Sequence, residues 1–197
     1  MLIESGKPIT DVYFPISAMI SLLTVLSDGT SIEAMTVGYD GMIGLPLFHD
    51  IETTHERAVC QIEGDVYRLP VTAFRRLVER SAGLREMLHK YSQFSQDSMA
   101  QSAACNSIHL VEQRCARWLL LSSDAVRDGH FSLTQEFFAQ MLAVRRSGVT
   151  IAMGGLERRN LISSGYGKIT ILDREGLLKI SCECYQTICN RRRELLT

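Results

Sequence analysis

No stretch of the 197 residues approaches the roughly 20 consecutive apolar residues of a membrane-spanning helix, and the start carries no basic-then-apolar secretion signal. The expected setting is therefore cytoplasmic, with no membrane partner. Compact catalytic motifs are missing as well: there is no glycine-rich phosphate loop, no nucleophile elbow and no His-Glu-x-x-His. His49, His55, His89, His109 and His130 contain no His-x-His pair, and only the first two fall in the strand-rich N-terminal third. A small β-barrel metal enzyme needs two or three histidines and a carboxylate around one ion, so that alternative has little support. No enzymatic activity and no cofactor are expected. Of the cysteines, Cys60, Cys105 and Cys115 stand singly in predicted strands or helices, where cysteine serves as a small buried hydrophobe. Cys182-x-Cys184, with Cys189 five residues on, lacks the spacing usual between zinc ligands, and no histidine follows. No metal site is expected.

Net charge is scarce too, at a formal −1, but the balance conceals a division. Residues 112–197 carry 13 Lys or Arg against 9 Asp or Glu, a net of +4, while residues 1–111 carry 8 against 13, a net of −5. A basic half suits a polyanionic partner.

Within that half, residues 133–162 read LTQEFFAQMLAVRRSGVTIAMGGLERRNLI. Two helices crossing near a tight turn need a small residue on the inner face of the first, a small residue in the turn and a buried anchor in the second. Ala139, Ala143 and Val149 meet these demands, and Thr134 suits the first N-cap. The second helix should begin near Arg145 or Arg146. With Val149 inward, a 100° step turns Ala152, Met153 and Leu156 inward and Ser147, Thr150, Ile151, Gly154 and Arg158 outward. The outward set is short, polar and basic. It fits the DNA major groove, where Arg reads guanine, Ser and Thr bond bases or phosphates, and an apolar group meets a thymine methyl. The same string also fits a plain helical hairpin whose arginines are merely solvated. Downstream, the turn residues Ser163 to Gly167 and the alternating Lys168-Ile169-Thr170-Ile171-Leu172 predict a β-hairpin, the order of a winged helix. Tyr166 and Lys168 would then touch the DNA backbone.

These segments, together with VYFPISAMISLLTVLSDGTSIEAMTVGYDGMIGLPLF near the start, EQRCARWLL before the DNA module, and ITILDREGL and SCECY after it, resemble the Crp/Fnr family of bacterial transcription regulators. The resemblance covers nearly the whole chain. It implies an α+β architecture: a cyclic-nucleotide-binding-like β-roll over residues 1–78, a long dimerisation helix over 79–107, and a winged helix-turn-helix with a C-terminal tail over 108–197. It also implies a homodimer on a two-fold symmetric site of double-stranded DNA, RNA polymerase as a further partner, and a small-molecule effector in the roll. The DNA-binding residues would be Arg145, Arg146, Ser147, Thr150, Ile151 and Arg158, with Thr134, Tyr166 and Lys168. Family members usually have a helix and at least one strand before the equivalent of this beginning, so the roll is expected to be N-terminally short, which leaves open an exposed edge, a shortened sequence or a start further upstream.

The residues themselves support a roll. Val12 to Phe14, Ile20 to Leu26 and Ile32 to Val37 are β-prone runs punctuated by Pro15, Asp28-Gly29 and Gly38. Asp28-Gly29 predicts a hairpin, and Gly64-Asp65 within Ala58 to Leu69 predicts another. Gly41, Gly44 and Pro46 suggest a tight loop or short helical turn. From Phe74 the period lengthens: Leu84, Met87, Leu88, Tyr91, Phe94 and Ser98, then Ser102 and Cys105, form a stripe that buries a helix against a twin or within one chain. Spacing does not separate the two; the resemblance favours the twin. Ile108, Val111, Cys115, Trp118 and Leu119 are expected to form the inner face of a following helix. The effector pocket implied by the resemblance comprises Gly41, Met42, Gly44, Arg57 and Ala58. Cyclic-nucleotide binders of the family use a Glu for the ribose and a Ser for the phosphate where this chain has Met42 and Ala58, so cyclic AMP is a doubtful ligand. Arg57 is expected to pair instead with Glu52, Glu56 or another acid. The competing reading is a dimeric scaffold with a vestigial helix-turn-helix, favoured by Gly154-Gly155, since helical glycines cost about 1 kcal/mol each.

Overall fold

Asp28 and Gly29 turn the chain between β2 (Met19–Val25) and β3 (Ser31–Val37), as the sequence predicts. The Asp28 carboxylate accepts the Thr30 N–H at 2.9 Å, and Gly29 takes φ 86°, a region that a side chain disfavours. The computed structural model describes residues 1–126, 130–132, 134–165 and 167–197. In it β2 lies between β3 and β4 (Glu56–Ile62), while β1 (Asp11–Pro15) pairs with β5 (Val66–Pro70), all antiparallel. The Gly64-Asp65 hairpin is not formed. β4 and β5 belong to different sheets, and the Asp65 carbonyl instead accepts N–H groups of Ile16 and Ser17 at 2.9 and 3.3 Å. A Cβ on Gly64 would lie 2.5 Å from backbone atoms of Ser17 and Ala18, so that glycine serves close approach of two chain segments. Gly44, at φ 94°, opens a short 3₁₀ turn over Leu45–His49, the tight turn expected there. Ile3 bridges Ala58 on β4, covering part of that strand's edge.

α1 (Val71–Arg80) and α2 (Ala82–Ile108) meet at Ser81, which ends one helix and caps the other by accepting the Leu84 N–H. The 27 residues of α2 span about 40 Å at 1.5 Å per residue. Most of its apolar stripe is satisfied inside one chain: Leu88, Tyr91, Phe94, Ser98, Ser102 and Cys105 are buried against the roll and the C-terminal helices, while Leu84 is half-buried and Met87 is 45 % exposed. The assignment of that stripe to a twin helix is therefore corrected. α3 (Val111–Val126) follows after the two-residue break His109-Leu110. Its inner face holds Cys115, Trp118 and Leu119 as expected, whereas Ile108 is 77 % exposed, because α2 ends there and α3 starts on a new axis.

The C-terminal module comprises α4 (Gln135–Met141), α5 (Arg146–Arg158) and a three-stranded sheet in which β8 (Lys168–Ile171) lies between β7 (Ile162–Gly165) and β6 (His130–Ser132). Nothing in the sequence announces β6, since three residues carry too little pattern to register. α6 (Arg174–Ile180) and α7 (Cys184–Leu196) close the chain, with α7 lying along α2 and held by Arg191–Asp97 and by Arg192–Asp40 back to the roll, at 2.5 and 2.6 Å. Roll and module share a buried polar joint. Glu33 on β3 accepts the Trp118 indole N–H at 2.8 Å, and the Trp118 ring packs on Phe138 of α4 with centroids 4.8 Å apart. Among the described residues no helix is long and apolar enough to cross a membrane.

Candidate nucleic-acid interface

The turn between α4 and α5 is built from backbone bonds. Thr134 caps α4 by accepting the Phe137 N–H at 3.2 Å. At the other end Ala143 takes φ 50°, its N–H bonds the Gln140 carbonyl, and the Val144 N–H reaches back to Ala139. This is a Schellman closure, usually made with glycine; alanine is the smallest residue with a Cβ that can take its place. The buried guanidinium of Arg114 on α3 donates to the Leu142 carbonyl, satisfying an oxygen at the C-terminus of α4 and fixing the turn to α3. Burial lowers the pKa of Arg114 from its ordinary value. Sequence reasoning missed this residue, because an arginine on a helix normally reads as solvated.

α5 turns one face inward and one outward, in the phase set by Val149. Val149, Ala152, Met153 and Leu156 are buried, while Ser147, Thr150 and Arg158 are not, and Ile151 is 73 % exposed. Arg145 and Arg146 are exposed at the N-terminal end of α5, and Arg146 lies 3.7 Å from Glu136. Thr150 donates its hydroxyl to the Arg146 carbonyl at 3.1 Å. Gly155 faces α3: a Cβ there would lie 2.4 Å from Glu112 Oε1, and Glu112 pairs with Arg159 at the end of α5. Gly155 is buried against the Glu112 side chain, whereas Gly154 meets only the Arg158 guanidinium at 3.4 Å, so packing explains at most one of the two glycines. The wing is tied to α5 by the Ser164 N–H, which donates to the Glu157 carboxylate at 3.1 Å. Lys168 stands exposed beside the wing's turn, and Tyr166 lies outside the described residues.

A second feature is a cavity of about 360 Å³ between the roll and α2. Met42, Gly44 and Ala58 line it, with Tyr91, His49 and Glu56. The Tyr91 hydroxyl donates to the Met42 carbonyl at 3.1 Å, and burial pushes its pKa up to about 12. Gly41 and Arg57 do not line the cavity, a correction with a simple cause for the arginine. Adjacent strand residues point to opposite faces, so with Ala58 inward Arg57 projects away. Nor does Arg57 pair with Glu52, which holds Arg75 at 3.1 Å instead.

Residues 113–180 match the family model of the Crp-like helix-turn-helix domain. The C-terminal module is a Crp-like helix-turn-helix domain. Solved structures extend the likeness to the roll and α2. FixK2 from Bradyrhizobium japonicum superposes with a TM-score of 0.76 at 16 % identity, over 92 % of each chain. A transcriptional regulator of the CRP family from Thermus thermophilus gives 0.69 at 19 % identity, over 91 % of this chain and 92 % of that one. The c-di-GMP responsive global regulator CLP of Xanthomonas campestris gives 0.65 at 13 %, over 86 % and 88 %. No curated protein sequence matches significantly. Over most of its length the chain has the fold of Crp/Fnr regulators, and its C-terminal part matches the Crp-like helix-turn-helix model.

Proposed function

We propose that the protein regulates transcription by binding a two-fold symmetric DNA site as a homodimer, with α5 in the major groove and Arg146, Ser147, Thr150 and Ile151 toward base edges. The carrying observation is the polar and basic outer face of α5, held in place by buried Val149 and Leu156 and by the Arg114-anchored turn. Arg145, Arg158, Thr134, Lys168 and Tyr166 would serve the phosphates. The dimer is supported by the outer face of α2, where His89, Gln93, Gln96, Ala100, Ala103 and Ser107 are exposed and alternate four- and three-residue steps, the spacing of a helix seam. RNA polymerase would be a further partner.

The cavity between the roll and α2 suits an effector that is largely apolar and uncharged. Glu56, whose carboxyl burial holds above its ordinary pKa, stands on its wall, and Arg57 does not. A cyclic phosphate would find an acid, two histidines and no Arg or Lys on the wall. Selection of bound sequences from a random DNA pool tests the proposal. An inverted repeat is the expected result; no enrichment at low salt would favour the scaffold reading.

A further inference from the structure

Three cysteines that the DNA-binding reading leaves without a role converge with one histidine where α2 ends and α7 begins. Cys105 Sγ and Cys182 Sγ are 3.5 Å apart, and Cys184 Sγ and His109 Nδ1 are 3.6 Å apart. The four donor atoms all lie within 4.8 Å of one another. A tetrahedral ion with bonds of about 2.3 Å to sulfur and 2.0 Å to nitrogen sets its ligand atoms about 3.5 to 3.8 Å apart. Two of the six separations therefore already match such edges, and none exceeds 4.8 Å. Cys105 lies in the last turn of α2 and His109 caps its end, while Cys182 and Cys184 flank the N-cap of α7, so two helix ends each present two ligands. The three cysteines are buried in a small cluster separate from the main core.

The surroundings fit a bound ion as well. His109 Nε2 lies 3.2 Å from the Glu183 carboxylate, which orients Nδ1 toward the sulfurs in the way that second-sphere carboxylates orient metal-bound imidazoles. Gln101 Nε2 donates to Cys184 Sγ at 3.0 Å. Three thiolates and an imidazole around a divalent ion carry one net negative charge, and Arg114 and Arg117, both buried, lie within electrostatic reach of Cys105. We propose that Cys105, His109, Cys182 and Cys184 form a closed tetrahedral site for a thiophilic divalent cation of the zinc type. On binding, the three thiols release their protons to solvent and the imidazole binds neutral. Because His109 ends α2 at the break before α3, the ion ties that break to α7 and fixes the direction in which the DNA-binding module leaves the roll.

The spacing of Cys182 and Cys184 gives no sign of this, since the ligands that complete the set lie more than 70 residues away.

The test is a titration of the full-length, reduced, chelator-treated protein with Co²⁺, followed by displacement with Zn²⁺. One equivalent should produce thiolate-to-cobalt charge transfer and the intense visible bands of tetrahedral coordination. Those bands should be lost in Cys182→Ser, changed in His109→Gln and retained in Cys60→Ser and Cys189→Ser. Glu183→Gln should weaken affinity about tenfold. Far-ultraviolet circular dichroism checks each variant's fold, and the parent titration stands without them. Absence of a saturable band at one equivalent in the folded, reduced parent would overturn the proposal. So would bands unchanged in both Cys182→Ser and His109→Gln, or bands lost with Cys189→Ser.

Discussion

Glu33 joins the roll to the DNA-binding module, and its replacement separates a neutral, hydrogen-bonded carboxyl from a buried charge. It is 8 % exposed and accepts from Trp118 Nε1 at 2.8 Å, from Thr36 Oγ1 at 2.9 Å and from the Ser21 hydroxyl. Burial raises its pKa above the ordinary 4.5, outweighing these donors and the charge of Arg117. The folded state therefore holds the proton at pH values where the unfolded chain has released it. Stability contributed by this group is full below about pH 4.5 and falls as pH rises toward the folded pKa. Glu33→Gln keeps an oxygen for Trp118 and Thr36, offers an amide to Ser21 and cannot ionise. It should match the parent in acid and gain on it as pH rises. Glu33→Ala leaves the indole N–H unpaired, at about 1 to 3 kcal/mol, and opens a cavity, for a total loss of about 3 to 5 kcal/mol. Urea unfolding followed by the fluorescence of Trp118, the sole tryptophan, measures both. If Glu33→Gln is as damaging as Glu33→Ala near neutrality and leaves the pH slope unchanged, the carboxylate is ionised and held by Arg117, and the reasoning fails.

Three further outcomes are expected. Gly38→Ala would place a Cβ 2.6 Å from the Cα and Cβ of Ala125 on α3, so it should lower stability by about 1 to 3 kcal/mol in urea melts, whereas Gly83→Ala, with open space around it, should not destabilise. Millimolar cyclic AMP or cyclic GMP should leave the melting temperature unchanged, since buried Met42 and Ala58 offer neither a ribose acceptor nor a phosphate donor; a concentration-dependent rise would contradict this. DNA affinity should fall linearly on a log–log plot against salt, and Arg145→Ala should reduce that slope by about one while weakening all sequences alike.

The helix-turn-helix was legible because its constraints are local. Ala139, Ala143 and Val149 fix the crossing within eleven residues, and the phase of α5 follows from Val149 alone. The β2–β3 hairpin was legible for the same reason, through Asp28-Gly29. Features set by distant partners were not. The stripe on α2 is periodic whether its neighbour is a twin or the chain's own roll and α7, and only the fold shows that Leu88 and Phe94 are buried internally. Gly64-Asp65 has the composition of a hairpin turn, but the sheet assignment of β4 and β5 decides its use. Arg57 is excluded from the cavity by strand alternation, which a motif match ignores. Arg114, Glu33 and the Cys–His cluster depend on contacts 28 to 85 residues apart in sequence.

Base reading by α5 rests on Arg146, which is exposed at the first turn of the helix with Ser147 and Thr150 beside it. The measurement is the affinity of Arg146→Ala, shown to be folded, for the parent's selected site and for random DNA at the same salt. The expected result is a loss of about 1 to 3 kcal/mol on the selected site, a much smaller change on random DNA, and relaxed base preference at one position of each half-site. Parent-like binding to both DNAs would contradict it.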